Sequence, residues 1–240
     1  MITDFIRKFN GIYAPLTVRF GYNKLIAYKK VRNSPELKYL YRPLTLDRFI
    51  EQEIKENIYH VSIQKDDTVI DCGSHIGLFA MYCTIRGATV KAIEPVDENY
   101  ELLTNNIMLN KFEHNITPIH KAVSGNTLYN KRTFYRTNNN GNGSLEPYNK
   151  SNPILVDTIA INDLLPCDIL KIDIEGSEYE IIGNANLSLV KREIAIEYHT
   201  WNELRKQVLE MKLTIIHAGF DIDYEKKFGI TGYLHATRIN

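Results

Sequence analysis

Hydrophobic positions along this chain recur with two periods that take turns. Thr68–Cys72 is a short strand-forming run, and after it Ile76, Phe79, Ala80 and Cys83 return at helical spacing, stopped at Arg86-Gly87. Thr89–Ile93 is a second strand, followed by a helix with Tyr100, Leu103 and Ile107 on one face. Asn115–Val123 reads as a third strand with Ile116 and Ile119 inward, then a Ser124-Gly125-Asn126 turn. Leu128–Tyr135 and Ile154–Ile161 read as extra extended pieces, flanking a polar Thr137–Ser144 loop that can act as a flap. Ile169, Leu170 and Ile172 make a buried strand, and Tyr179 and Ile182 lie on the helix behind it. Glu193–His199 is a fifth strand, with Leu204, Val208 and Met211 on the next helix and Gly219 as its stop. Phe220–Tyr224 and Gly232–Arg238 alternate as a closing hairpin. Such alternation predicts an α/β fold: a mostly parallel sheet with helices on both faces and an antiparallel C-terminal hairpin.

Upstream the pattern is weaker. Ile50, Ile54 and Ile58 share a helix face, with Asp47 placed to cap it. Before Pro43 there is no long period, only a richness in aromatic and basic residues such as Tyr13, Arg19, Phe20, Tyr22, Lys29, Lys30 and Arg32. The expected division is an appendage of short helical and extended pieces over residues 1–60, able to serve as a substrate lid, and one domain over residues 61–240.

The first strand ends in a turn with Gly73 and Gly77, and that turn carries chemistry. A strand, a glycine turn and a helix form a nucleotide or nucleoside site at the carboxyl end of a parallel sheet. Neither the G-x-G-x-x-G spacing nor a G-x-x-x-x-G-K-[ST] loop is present. Asp71 puts a carboxylate at the mouth, which repels pyrophosphate and attracts an ammonium or sulfonium. S-adenosylmethionine carries both cations and no phosphate. Glu94, ending the second strand, is placed to accept the two ribose hydroxyls. Ala122 falls beside the turn, where adenine packs. A second cluster, Asp173 and Glu175, ends the Ile169–Ile172 strand, and two acids two residues apart on extended backbone face one way. Glu178 fits an acidic helix start better than a chemical role. Glu197 and His199 share one side of the next strand end, where ligands bind in open α/β sheets.

Composition adds boundaries. The 240 residues are 44% hydrophobic, and 29 Lys+Arg balance 29 Asp+Glu, so no charge excess calls for nucleic acid or a membrane surface. Cys72, Cys83 and Cys167 lack metal-ligand spacing and read as free thiols of a reducing, cytoplasmic compartment. The first residues, with Asp4, Arg7 and Lys8 among apolar ones, do not read as a signal peptide.

The runs Val69-Ile-Asp-Cys-Gly-Ser-His-Ile-Gly77, Ile93-Glu-Pro95, Lys121-Ala-Val123, Leu170-Lys-Ile-Asp-Ile-Glu-Gly-Ser-Glu178 and Ile196-Glu-Tyr-His199 resemble the FkbM-type methyltransferases, from about Asp47 to the C-terminus. That resemblance implies a seven-stranded Rossmann-like fold, S-adenosylmethionine as methyl donor, and O-methylation of a sugar or natural-product hydroxyl. Asp71, Gly73, Ser74, Gly77, Glu94, Ala122 and Asp173 are then the expected cofactor residues. His199 is the expected base, with Asp173 or Glu175 orienting it or the substrate. Convergence of Asp173, Glu175, Glu197 and His199 on a hard cation is a second arrangement to test. RNA methylation and a non-catalytic cofactor-binding module are the competing functions, and the acceptor and oligomeric state are not written in the residues.

Overall fold

A computed structural model describes residues 18–20, 24–31, 34–126, 128, 130–136, 144–145, 152–200 and 205–239. The expected 137–143 loop and flap, together with Tyr13, Tyr22, Arg32 and Leu204, lie outside the described residues.

The chain begins with three antiparallel strands, β1 (Val18–Phe20), β2 (Lys24–Val31) and β3 (Ser34–Tyr41), and then α1 (Asp47–Glu56). The main body follows as β4 (Thr68–Cys72), α2 (Leu78–Thr84), β5 (Thr89–Ile93), α3 (Asp97–Asn110) and β6 (Ile116–Ile119). An inserted group, β7 (Ala122–Ser124), β8 (Lys131–Arg136) and β9 (Asn152–Ala160), leads to the short α4 (Ile161–Leu164). The chain ends with β10 (Cys167–Ile172), α5 (Glu178–Asn184), β11 (Val190–His199), α6 (Arg205–His217), β12 (Phe220–Phe228) and β13 (Thr231–Arg238).

Seven strands form the central sheet in the order β12-β13-β11-β10-β4-β5-β6. β4, β5, β6, β10 and β11 pair in parallel, and β13 runs antiparallel between β11 and β12. The central strands are near-continuous apolar runs because both faces are covered. Ile70, Cys72, Leu170 and Ile172 point into a core with Ile181, Ile182 and Met211. Val69, Ile169 and Ala195 point into the opposite one with Phe79, Met81 and Leu103.

Three expectations are corrected. Asn115–Val123 is not one strand: the Ile119 carbonyl accepts N–H bonds from both Glu94 (3.1 Å) and Lys121 (3.0 Å), which turns the chain. β7 then leaves the central sheet and pairs with β9. The segment before Pro43 is extended rather than partly helical where it is described. Asp47 does not cap α1 through its side chain, because its carboxylate is taken by Arg42.

The described part of residues 1–60 is bound into the body. Leu37 and fully buried Tyr39 share the core of Phe79 and Leu103. Along α3, Asn110 accepts the Lys38 N–H (2.9 Å) and donates to its carbonyl (2.7 Å). One turn earlier Asn106 does the same for Leu40 (2.6 and 3.2 Å) and also donates to the Ile76 carbonyl (2.8 Å). Side chains four apart on the helix thus meet backbone groups two apart on β3.

Candidate active site

A cavity of about 250 Å³ opens at the carboxyl ends of β4, β5 and β10. Its floor is the turn after β4. Gly73 (φ 81°), His75 (φ 51°) and Gly77 (φ 88°) all adopt the left-handed region. The N–H groups of Gly73 and Ser74 both donate to the Ile93 carbonyl (3.0 and 2.9 Å), and Ser74 Oγ donates to the Asp71 carbonyl (2.8 Å). Gly73 is required by contact as well as by φ: a Cβ there would lie 1.8 Å from the Asp173 carbonyl oxygen. Gly77 fits Leu103, whose Cδ1 would be 2.5 Å from a Cβ.

At one end Glu94 is held by three donors. Its Oε1 accepts Val96 N–H (2.9 Å) and Asn99 Nδ2 (3.1 Å), and its Oε2 accepts His75 N–H (3.0 Å). A carboxylate still has acceptor capacity after three such bonds. Burial raises the Glu94 pKa, opposed by His75 and by these hydrogen bonds. Val96, Ala122, Phe134 and Leu145 make the apolar wall beside it.

The other end is acidic. Glu53 from α1, Asp173 and Glu175 after β10, and Glu197 from β11 all line it. Asp173 Oδ2 accepts the Tyr59 hydroxyl at 2.8 Å. Burial raises the Glu175 pKa to about 8; His199 opposes this, while Asp173, Glu178 and Glu53 reinforce it. Glu197 and Glu53 are raised too, by burial first and then by Asp173. Beneath them Lys171 is 3% exposed and sits 3.0 Å from Asp71 Oδ1, 3.5 Å from Asp173 Oδ2 and 2.9 Å from the Gly73 carbonyl. Burial works against its charge, but the Asp71 and Asp173 carboxylates more than offset it and raise its pKa.

The expected site residues divide by position. Gly73, Ser74, Glu94, Ala122, Asp173 and Glu175 line the cavity together. Asp71 lies beneath it, fully buried against Lys171, and Gly77 packs on Leu103. His199 does not line it: the ring is buried, with Nε2 3.3 Å from Glu175 Oε2 and Nδ1 3.1 Å from Glu178 Oε1. Burial opposes its charge, yet Glu178, Glu175 and Glu197 raise its pKa to about 9. No group of three or more His, Cys, Asp or Glu among the described residues is arranged to hold a metal ion.

Several residues escaped the sequence reading. Lys171 precedes Asp173 by two, and that spacing was the available signal. Tyr59, Glu53, Phe134 and Leu145 stand in stretches whose pattern says nothing about a pocket. α1 closes the cavity with Leu46, Phe49, Ile50 and Ile54. Its start is tied to the turn: Arg42 bonds Asp47 (2.8 and 2.9 Å) and Asn99 (2.7 Å), and Asp47 Oδ1 is 3.2 Å from His75 Nε2. Ile50 and Ile54 therefore face the cavity.

The family model described as the Methyltransferase FkbM domain matches residues 71–222. The chain belongs to the FkbM methyltransferase family. As a member it is an enzyme with S-adenosylmethionine as methyl donor. Solved structures with the same fold include M. jannaschii TYW2 in complex with AdoMet, at 14% identity and a TM-score of 0.51, covering 92% of this chain and 90% of that one. Pyrococcus abyssi Trm5b is similar at 11% identity and TM-score 0.55, over 92% of this chain and 58% of its own. The M. jannaschii tRNA m1G37 methyltransferase is similar at 15% identity and TM-score 0.54, over 92% and 59%. The FkbM chain thus spans little more than half the length of the last two. No curated protein matches it in sequence. No helix among the described residues is long and apolar enough to cross a membrane.

Proposed function

We propose that this FkbM methyltransferase methylates a hydroxyl of a sugar or another small polar molecule. The observation that carries the proposal is the acidic end of the cavity, where Glu53, Asp173, Glu175 and Glu197 converge from α1, the turn after β10, and β11. Carboxylates accept hydrogen bonds from hydroxyls, so several around one space suit a polyol. Lys171, the cation beneath them, is engaged by Asp71 and Asp173 and does not offer its charge to a nucleic-acid phosphate. Two fold neighbours are a tRNA m1G37 methyltransferase and aTrm5 solved in complex with tRNALeu, and at 15% and 18% identity that likeness concerns the fold. RNA is the competing acceptor that the test must separate.

The residues fit the donor. Glu94 is oriented to receive the ribose hydroxyls, Ala122 and Phe134 to pack adenine, and the Gly73-Ser74 turn to take the amino-acid part. Buried Ser177 Oγ lines the cavity without a hydrogen-bond partner among the described residues, leaving a polar group for a ligand to satisfy. Asp173 sets a carboxylate at this end of the cavity, which favours the donor's positive charge. When bound, S-adenosylmethionine supplies a methyl carbon made electrophilic by its sulfonium, and the carbon–sulfur electron pair stays on sulfur.

An alcohol is a weak nucleophile until its proton leaves. His199 was the expected base, and its place argues for another residue: it sits behind Glu175 and is protonated at neutral pH. Glu175 lines the cavity with a pKa near working pH, the range in which a base is most effective. We therefore assign proton removal to Glu175 and the holding of the acceptor to Asp173, Tyr59 and Glu197. Incubation with methyl-labelled donor tests this against three pools: glycans, small metabolites and total tRNA. Label in a glycan or metabolite hydroxyl is expected; label confined to tRNA refutes the proposal.

A further inference from the structure

Two buried ionisable groups stand behind Glu175. His199, at the end of β11, is 3% exposed, and Glu178, the first residue of α5, is fully buried. The imidazole spans two carboxylates, Glu178 Oε1 through Nδ1 at 3.1 Å and Glu175 Oε2 through Nε2 at 3.3 Å. Glu178 Oε1 also accepts the Gly176 N–H at 2.9 Å, so the inner carboxylate is fixed to the backbone. The Tyr179 hydroxyl donates to the His199 carbonyl at 2.5 Å, fixing the backbone that carries the ring. Glu175 itself is at φ 59°, a conformation few residues other than glycine adopt, and this turns it back over the ring.

We propose that Glu178 and His199 form a positioning pair that orients Glu175 and governs how readily its carboxylate exchanges a proton with the acceptor. The proposal rests on the function assigned above and adds two residues to it. Nδ1 is hydrogen-bonded to Glu178, and Nε2 lies 3.3 Å from Glu175 Oε2, an ion-pair distance rather than a hydrogen bond, so the protonated ring places its positive charge directly against Glu175. Glu175 is otherwise surrounded by acids: Glu53 from α1, Asp173 from its own turn, Glu178 from α5 and Glu197 from β11. Lys171 of β10 is engaged by Asp71 and Asp173. His199 is the cation that opposes their field at Glu175. In the transfer, the acceptor O–H proton passes to the ionised form of Glu175 as the acceptor oxygen bonds to the methyl carbon and the carbon–sulfur pair leaves on sulfur, and the His199 ring keeps its protons. It is thus a positioning residue rather than a catalytic one.

Carboxyl carbon-13 NMR of glutamate-labelled full-length protein reads Glu175 directly and needs no acceptor; a Glu175→Gln sample assigns the signal. A midpoint near 8 is expected in the unaltered protein. His199→Gln should move it up by about one pH unit or more, because the opposing cation is gone. An unmoved midpoint in a folded His199→Gln protein overturns the pair. Should that variant not fold, Glu178→Gln serves, read at the imidazole nitrogens: the His199 midpoint should fall from about 9, and an unmoved one overturns the pair equally. Label found only in tRNA would refute the acceptor class and leave these titrations standing, so the two failures are distinguishable.

Discussion

Gly73→Ala places a methyl group where β4 and β10 hand over to the site. The built Cβ lies 1.8 Å from the Asp173 carbonyl oxygen and 3.0 Å from its carbon. Reaching ordinary contact requires the Asp173 backbone to retreat by more than ~1 Å. That backbone is pinned by its N–H bond to the Cys72 carbonyl (3.1 Å), so it cannot move cheaply. The left-handed φ of 81° adds about 1–2 kcal/mol for a residue with a Cβ. Overpacking of this kind costs about 1–3 kcal/mol. Together the loss is about 2–5 kcal/mol, a large share of a domain stability of ~5–15 kcal/mol. Gly183→Ala in α5 is the matched control: its Cβ meets nothing within 4 Å and its φ is not positive, so ~0.5–1 kcal/mol should be gained. Urea unfolding gives both differences, and calorimetry with S-adenosylmethionine gives the effect on the site. Weaker cofactor binding should accompany the Gly73 loss, because Asp173 lines the cavity. A Gly73→Ala protein as stable as the unaltered one, with undiminished affinity, would refute the reasoning from close approach.

Other substitutions test other parts. Glu175→Gln keeps shape and removes the base, so turnover should fall by about 10²–10⁴ with donor affinity changed only a few-fold; unchanged turnover would end the assignment. Lys171→Met leaves Asp71 buried without its cation and should cost about 3–5 kcal/mol in urea unfolding, most of it recovered by adding Asp71→Asn; a single variant with unchanged stability contradicts the pairing. Asp47→Asn breaks the link from α1 to the turn and should destabilise by about 3–5 kcal/mol. Burial opposes the Asp47 charge, but His75 and Arg42 hold its carboxyl below the usual range. Its contribution is thus present above the ordinary carboxylate pKa and lost as pH falls through the lower folded value. A slope in acid unfolding that survives in Asp47→Asn would contradict this.

Much of the architecture was legible because the strands leading to the site are short apolar runs between turn residues. Thr68–Cys72, Thr89–Ile93 and the C-terminal pairing were visible from periodicity. What was not legible came from contacts across the sequence. The break at Ile119 depends on one carbonyl receiving two N–H groups, a tertiary fact. Asp47 looked like a cap because helix starts favour acids, and the local rule lost to a buried arginine five residues earlier. Glu178 looked like an ordinary acidic helix start; it does bond the Gly176 N–H, but its second partner is His199, 21 residues away. Asp173 and Glu175 both line the cavity, though not by the extended-strand argument, since Glu175 sits in a left-handed turn.

Asn106 and Asn110 stand in for a missing strand. By giving β3 the amide pattern of a neighbour, they occupy backbone groups that would otherwise template association with another chain. The arrangement is reciprocal. Trimming the protein back to residue 42 would leave Asn106, fully buried and also bonded to Ile76 in the Gly73–Gly77 turn, facing nothing on that side. A shortened version made for convenience would therefore lose grip on the turn that floors the cavity as well as on its own edge.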